Sequence, residues 1–283
     1  MSRAQDDYPL RCDEPVIGAE RRLDLAGPAL LPTVLLDGVR MHVLTERQCV
    51  EFIVQELLQQ RGGWLVSVNV HHLRLCATDP EFAVLCAGAT LCMADGMPVI
   101  WASRWQRTPL PERVAGSDLI SSVADAAQQY GLSLFLLGGS PGIADRAAVN
   151  LRRTFPRLRL AGIYVPPFGF ESDLRETERI VEVVRAAQPN LVFVALSKGK
   201  QERLVDVLRR KMPNSWFLGI GAGLSFASGD IRRAPLWMRR AGLEWMHRLI
   251  QEPRRLAGRY LVRDLPHAAR FLARTLRRRS ARR

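Results

Sequence analysis

Lysine is nearly missing from this chain of 283 residues. Lys198, Lys200 and Lys211 are the only three among 41 basic side chains. Arginine, which takes the rest, can grip a phosphate through two parallel hydrogen bonds. A GC-rich coding sequence also favours arginine, so the ratio alone assigns no role. Long apolar runs are missing too. No stretch approaches 18 uninterrupted apolar residues, so no spanning helix is read. Met1 to Glu20 holds five acidic residues and no apolar segment, unlike a secretory signal. The five cysteines (Cys12, Cys49, Cys76, Cys86 and Cys92) form no Cys-x-x-Cys pair and do not cluster with histidine. That spacing argues against a metal site and for small buried side chains in a reducing compartment. No Asp-x-Asp pair stands in a loop where it could hold Mg²⁺, and no Gly-Lys-Ser/Thr follows a glycine turn.

What is present is a strong division of charge. Residues 231–283 hold 16 arginines against Glu244, Glu252 and Asp264, a balance of +13. The preceding 230 residues hold 25 basic and 25 acidic side chains. The basic segment is not of low complexity: Trp, Leu and Met are set between its charges. It reads as a folded anion-binding lid, aimed at a phosphate or an anionic membrane surface.

The neutral part reads as α/β. Short apolar runs recur at Trp64–Val68, Thr90–Met93, Ser133–Leu137, Arg159–Tyr164, Leu191–Leu196 and Trp216–Ile220. Helical patterns fall at Glu46–Gln60, Ser117–Tyr130, Ile143–Phe155, Leu174–Ala187 and Lys200–Lys211. Such alternation predicts a mostly parallel, Rossmann-like sheet with helices on both faces. Three parts are expected: a loosely ordered extension over 1–32, an α/β domain over 33–229, and a basic helical appendage over 230–283. Within the appendage, Asp264 and Pro266 suit the start of a new helix. That helix would carry Leu265, Ala269, Leu272 and Leu276 on one stripe, with Arg263, Arg270, Arg274 and Arg277 largely off it. The pattern fits a helix lying in a membrane interface, or one packed on its own domain.

In a parallel sheet, ligands bind beyond the carboxyl ends of the strands. Six segments there are polar or glycine-rich, beginning at Asn69, Ala94, Gly138, Pro166, Ser197 and Gly221. Asp95, followed by Gly96, can serve as a general base or simply form an Asx turn. The turn Gly138-Gly139-Ser140-Pro141-Gly142 can cradle a phosphate on backbone N–H groups or be only a tight connection. Gln201 and Glu202 can bind sugar hydroxyls or cap their helix. Arg248, Arg255 and Arg259 can converge on a pyrophosphate or form a solvated face. His71 and His72 are adjacent and should not face the same point.

At these residues the chain resembles the WecG/TagA/CpsF glycosyltransferases, glycosyltransferase family 26. The blocks are Ser67-Val68-Asn69, Ala94-Asp95-Gly96-Met97-Pro98-Val99, Arg113 through Leu119, the turn at 138–142, Gly162-Ile163-Tyr164 with Pro167-Phe168, Lys200-Gln201-Glu202, and Arg233-Ala234-Pro235 through Tyr260. Arg-Ala-Pro-x-Trp followed by Gly-Leu-Glu-Trp is the most specific of them. The likeness spans about residues 35–262.

The resemblance implies an inverting, metal-independent transfer from a UDP-sugar to a polyprenyl-diphosphate-linked sugar, with no cofactor. It places the enzyme peripherally on the cytoplasmic face of the inner membrane. Asp95 would be the catalytic base. Ser67, Asn69, Gly138, Gly139, Tyr164, Gln201 and Glu202 would contact substrate. Arg248, Arg255 and Arg259 would take the acceptor diphosphate as the appendage closes. Ser225 stands where this family commonly has Asp, which leaves the donor open. UDP-glucose, as in xanthan-type exopolysaccharide assembly, is favoured over UDP-N-acetylmannosamine or its uronic acid. The partners expected are donor, lipid-linked acceptor and an anionic membrane, with homo-oligomerisation left open. A nucleic-acid-binding protein would use the same basic tail, but the neutral α/β part and its six loaded strand ends argue against one.

Overall fold

A computed structural model describes residues 31–280. The expected N-terminal extension over 1–32, and Cys12 within it, lies almost wholly outside that range. The described chain begins with an antiparallel hairpin of β1 (Thr33–Leu36) and β2 (Val39–His42). Its turn is Asp37-Gly38, with φ of 49° and 84°. A two-residue hairpin turn needs positive φ at both positions, and Asp-Gly tolerates it. Helix α1 (Glu46–Leu58) follows, started by a reciprocal cap between Thr45 and Gln48.

Six parallel strands form the main sheet: β3 (Gly63–Val68), β4 (Leu91–Ala94), β5 (Ser133–Gly138), β6 (Arg159–Tyr164), β7 (Leu191–Ala195) and β8 (Trp216–Gly219). Their order across the sheet is β4-β3-β8-β7-β5-β6. Strand alternation sends Leu134 and Leu136 into one apolar layer, and Phe135 and Leu137 into the other. Both faces are therefore covered, and the inner strands read as continuous hydrophobic runs. Each such buried side chain contributes roughly 1.5–3 kcal/mol. Helices α5 (Leu119–Tyr130), α6 (Ile143–Thr154), α7 (Leu174–Ala187) and α8 (Lys200–Lys211) fall where the periodicity placed them.

Three helices fill gaps in that reading: α2 (Val70–Thr78), α3 (Pro80–Ala87) and α4 (Met97–Trp105). The α3 segment, PEFAVLCA, is apolar almost all round, so no 3.6-residue period stands out. Its signal lay at its start, where Asp79 caps and Pro80 occupies the first turn.

After the short α9 (Gly223–Ala227), the chain is helical: α10 (Leu236–Arg240), α11 (Glu244–Gln251), α12 (Pro253–Ala257), a π-helical turn over Gly258–Asp264, and α13 (Leu265–Ser280). Asp264 does not cap a new helix, contrary to expectation. Backbone continues through it in helical form, and its carboxylate is engaged by His71 and Arg74 on α2. Ion pairing claims the side chain, so capping is not available to it. The packed face of α13 also differs from the expected stripe. His267, Phe271 and Thr275 are buried, whereas Leu265 and Leu276 are exposed. Among the described residues, no helix is long and apolar enough to cross a membrane.

Candidate active site

A cavity of about 470 Å³ opens over the carboxyl ends of the strands. Its floor comes from the segments after β3 (Asn69, His71), β4 (Asp95, Gly96), β5 (Gly139, Ser140), β7 (Ser197, Lys198) and β8 (Gly221, Ala222). The segment after β6 does not reach it, because β6 is the far edge strand. The roof is the helical C-terminal region, through Arg239, Glu244, Arg248, Arg255, Arg259 and Asp264. Arg113, Lys198 and these four arginines make six cations around the cavity, against Asp95, Glu244 and Asp264. The balance suits a polyanionic ligand.

Asp95 leaves the end of β4, its N–H bonded to the carbonyl of Val68 on β3. Gly96 follows with φ of 96°, a conformation that releases the chain into α4. The Asp95 carboxylate is partly exposed and lies 3.6 Å from the Arg113 guanidinium. Arg113 also reaches Asp118 at 2.7 Å and Glu244 at 3.2 Å. Arg233 and Arg239 approach Asp118 from the roof, at 2.5 and 3.7 Å. Roof and floor are thus joined beside Asp95 by interleaved opposite charges. Burial alone would lower the Arg113 pKa, but Asp118, Asp95 and Glu244 together raise it. The residue is a permanent cation at the Asp95 edge. It stood in a recognised sequence block, yet its three acidic partners lie at positions 95, 118 and 244, a convergence no local pattern displays.

Beneath the floor runs a second polar network. Glu202 and His72 are buried, with Glu202 Oε1 3.0 Å from His72 Nε2. Lys198 Nζ lies 3.0 Å from His72 Nδ1 and 3.4 Å from the carbonyl of Ser67. Gln201 Nε2 donates to Glu202 Oε1, and the Gly199 and Gly221 N–H groups donate to Glu202 and Gln201. Burial holds the His72 pKa at about 4, helped by the Lys198 charge. Burial would raise Glu202, but the His72 hydrogen bond, the neighbouring charges and the Gly199 N–H bring it to about 2. His71 points elsewhere, to Asp264 at 3.1 Å. The two adjacent histidines serve different networks.

The sequence-derived candidates divide accordingly. Asp95, Asn69, Gly139, Arg248, Arg255 and Arg259 all line the cavity. Asn69 also caps α2, accepting from the His72 N–H at 3.3 Å. Ser67, Gln201 and Glu202 are buried below it. The Ser67 hydroxyl has no hydrogen-bond partner among the described residues and faces Gly116. Gly138 is required for sheet closure: its φ is 99°, and a Cβ there would stand 2.6 Å from the Ala195 carbonyl oxygen. The Gly139 N–H, expected to be free for phosphate, donates instead to that same oxygen at 2.8 Å. Tyr164, at the end of β6, gives its hydroxyl to Glu176 at 2.6 Å and stays outside the cavity. Arg248 and Arg255 converge on the Glu252 carboxylate, at 3.4 and 2.6 Å. Arg248 also lies over the Phe226 ring, while Arg259 stacks on Tyr260. Ser225 lines the wall beside Phe226.

Residues 34–281 match the Glycosyl transferase WecG/TagA/CpsF family. The chain is 30% identical to an N-acetylglucosaminyldiphosphoundecaprenol N-acetyl-beta-D-mannosaminyltransferase of Bacillus spizizenii over 197 residues, 70% of this chain and 74% of the relative. It is 25% identical to a protein of the same name from Bacillus subtilis over 205 residues, 72% of this chain and 78% of that one. With a strand-end cavity ringed by arginine and family likeness over most of its length, the chain belongs to the WecG/TagA/CpsF family of glycosyl transferases.

Proposed function

We propose that this glycosyl transferase moves N-acetylmannosamine from its UDP derivative to an N-acetylglucosamine carried on a polyprenyl diphosphate. The relatives' names support that donor sugar and acceptor. Glucose, favoured on the sequence, gives way to N-acetylmannosamine for that reason. The observation that carries the reading is Asp95: a partly exposed carboxylate on a strand end, inside a cavity lined by six cations.

The mechanism proposed is a single displacement. Asp95 accepts the proton of the acceptor hydroxyl as that oxygen attacks the anomeric carbon. The bond to the UDP β-phosphate oxygen breaks on the opposite face, which inverts the anomeric configuration. Arg113, 3.6 Å from Asp95, holds the base in place, and Arg239 is the roof arginine left to offset the charge of the leaving UDP, a role that in other designs falls to a bound cation. The acceptor diphosphate is taken by Arg248, Arg255 and Arg259, with Glu252 holding the first two until it enters.

The roof also supplies the reason for a lipid substrate. Trp237, Ile250 and Val262 are exposed large apolar side chains of the roof that do not line the cavity. They lie among arginines in the segment that carries the whole net charge. Such a face suits peripheral attachment to an anionic membrane, on the cytoplasmic side where a UDP-sugar is supplied.

The deciding experiment offers a panel of UDP-sugars with a short-chain polyprenyl-diphosphate-linked N-acetylglucosamine. Product mass is then read. The expected product has gained one N-acetylhexosamine, from UDP-N-acetylmannosamine. A product from UDP-glucose alone would reassign the donor. No product from any donor, with no UDP binding, would defeat the proposal.

A further inference from the structure

We propose that Lys198 is a substrate-binding residue, whose ammonium donates a hydrogen bond from the cavity floor to a diphosphate oxygen. The inference rests on the reading that diphosphates enter this cavity. It concerns a residue with no assigned part in that reading.

An ammonium carries three N–H donors. Among the described residues, Lys198 uses two of them, on His72 Nδ1 at 3.0 Å and the Ser67 carbonyl at 3.4 Å. The residue lines the cavity while its ammonium sits among buried partners, so the third donor is left for a ligand oxygen that reaches the floor beside it. Its two internal partners fix where it acts. Since Nδ1 of His72 accepts from the ammonium, Nε2 must carry the proton, and it donates to Glu202 Oε1 at 3.0 Å. Glu202 is held in turn by the Gly199 N–H and the Gln201 amide. A long, flexible side chain is thereby set in one position before any ligand arrives, which lowers the entropy cost of binding.

The surroundings select the ligand. Lys198 and Arg259 both line the cavity; burial lowers the Lys198 pKa, and the Arg259 charge adds to that lowering. Arg259 belongs to the roof and Lys198 to the floor. Two like charges facing one cavity are stabilised by an anion placed between them. A diphosphate has several oxygens to share and reaches both. The lysine binds as a point charge, needing no paired fork geometry. Either the UDP donor or the lipid-linked acceptor supplies that diphosphate.

The test compares Lys198→Met and Lys198→Gln with the wild type. Both variants remove the charge, and Gln retains a donor near His72. Calorimetry gives the Kd for UDP and for uridine; steady-state transfer gives KM for the lipid-linked acceptor; thermal melting reports folding. The expected result is a loss of about tenfold to a hundredfold for a diphosphate carrier, with uridine binding unchanged. Weaker UDP binding assigns the residue to the donor. A raised acceptor KM with unchanged UDP affinity assigns it to the acceptor. If both affinities match the wild type in both variants and only the melting temperature falls, Lys198 is a structural strut and the proposal fails. It fails equally if uridine and UDP weaken by the same factor. Wild-type protein that binds no UDP and transfers nothing overturns the functional reading as well, whereas wild-type binding matched by the variants overturns Lys198 alone.

Discussion

Residues 1–230 are neutral and residues 231–283 carry thirteen excess positive charges, and the floor and roof drawn from their described parts are held by different forces. The floor rests on two apolar layers, where Phe135, Phe193, Trp216 and Phe217 are completely buried. The roof buries far fewer: Ala234, Met238, Leu256 and Phe271, with none in α11. Ion pairs do much of the remaining joining. Glu244 meets Arg113, Asp264 meets Arg74, and Arg274 reaches both oxygens of Asp37 at 2.9 and 2.8 Å. The Arg274 pair is half exposed, worth little and screened by salt. The Glu244–Arg113 and Asp264–Arg74 pairs are mostly shielded from solvent, so losing one partner would leave the other charge unpaired. Apolar burial holds the floor, and charge pairing holds much of the roof to it.

Removing the roof tests this division most severely. A chain ending after Gly229 should lose all measurable transfer to a lipid-linked acceptor, since Arg248, Arg255 and Arg259 leave with it. The α/β layers should still unfold cooperatively in urea. Full transfer by the shortened chain would refute a functional roof. Loss of cooperative unfolding would show that the floor depends on Leu256 and Phe271 more than its own layers suggest.

Next in size is a change confined to the floor. Asp95→Asn keeps the shape and removes the proposed base. Transfer should fall about 10²–10⁴-fold, the usual range for losing a general base. UDP affinity and melting temperature should stay close to wild type, since Asp95 touches the roof only through Arg113. Undiminished turnover in single-turnover assays would remove Asp95 from the centre of the mechanism.

How far the sequence anticipated this floor depends on what each residue does. Five of the six main strands were legible because both faces are buried, which leaves short apolar runs; β6, the far edge strand, has no buried residue and was legible from its apolar Leu160, Ala161 and Ile163 alone. Their order was not legible, since β8 pairs with β3 across more than 140 residues of chain. That order decides why five strand-end segments share the cavity and the Pro166 segment does not. Asp95 was legible as a carboxylate just past a strand. Depth was not: spacing cannot tell that Gln201 and Glu202 support the floor from below. Lys198 had a weak signal, one of three lysines in a chain that otherwise uses arginine, placed just past a strand end. Arg113 finds Asp95 and Asp118 within the floor and gains Glu244 only from the roof.

Acid should affect the floor through its buried histidines. Burial holds His42 at about 4, helped by the Arg40 charge, and His72 is held at about 4 as well. In the unfolded chain each protonates near 6.5. Between about pH 6.5 and 4 the unfolded state binds more protons, so stability is complete above that window and declines as pH falls through it. Glu202, held at about 2, extends the loss below the unfolded carboxylate value of about 4.3. Urea unfolding between pH 7.5 and 4 should show this slope, and His42→Gln should reduce it. A flat profile would mean that the histidines take protons without disturbing the layers.

The smallest effect is expected where family likeness and position disagree. Tyr164 belongs to a recognised block, yet its hydroxyl is spent on Glu176 beyond the cavity. Tyr164→Phe should cost about 1 kcal/mol of stability, the net worth of one hydrogen bond. It should leave the KM for donor and acceptor unchanged, because Tyr164 does not line the cavity. A KM raised severalfold would mean that the β6 edge closes over the substrate during turnover. The floor would then have a moving part of its own.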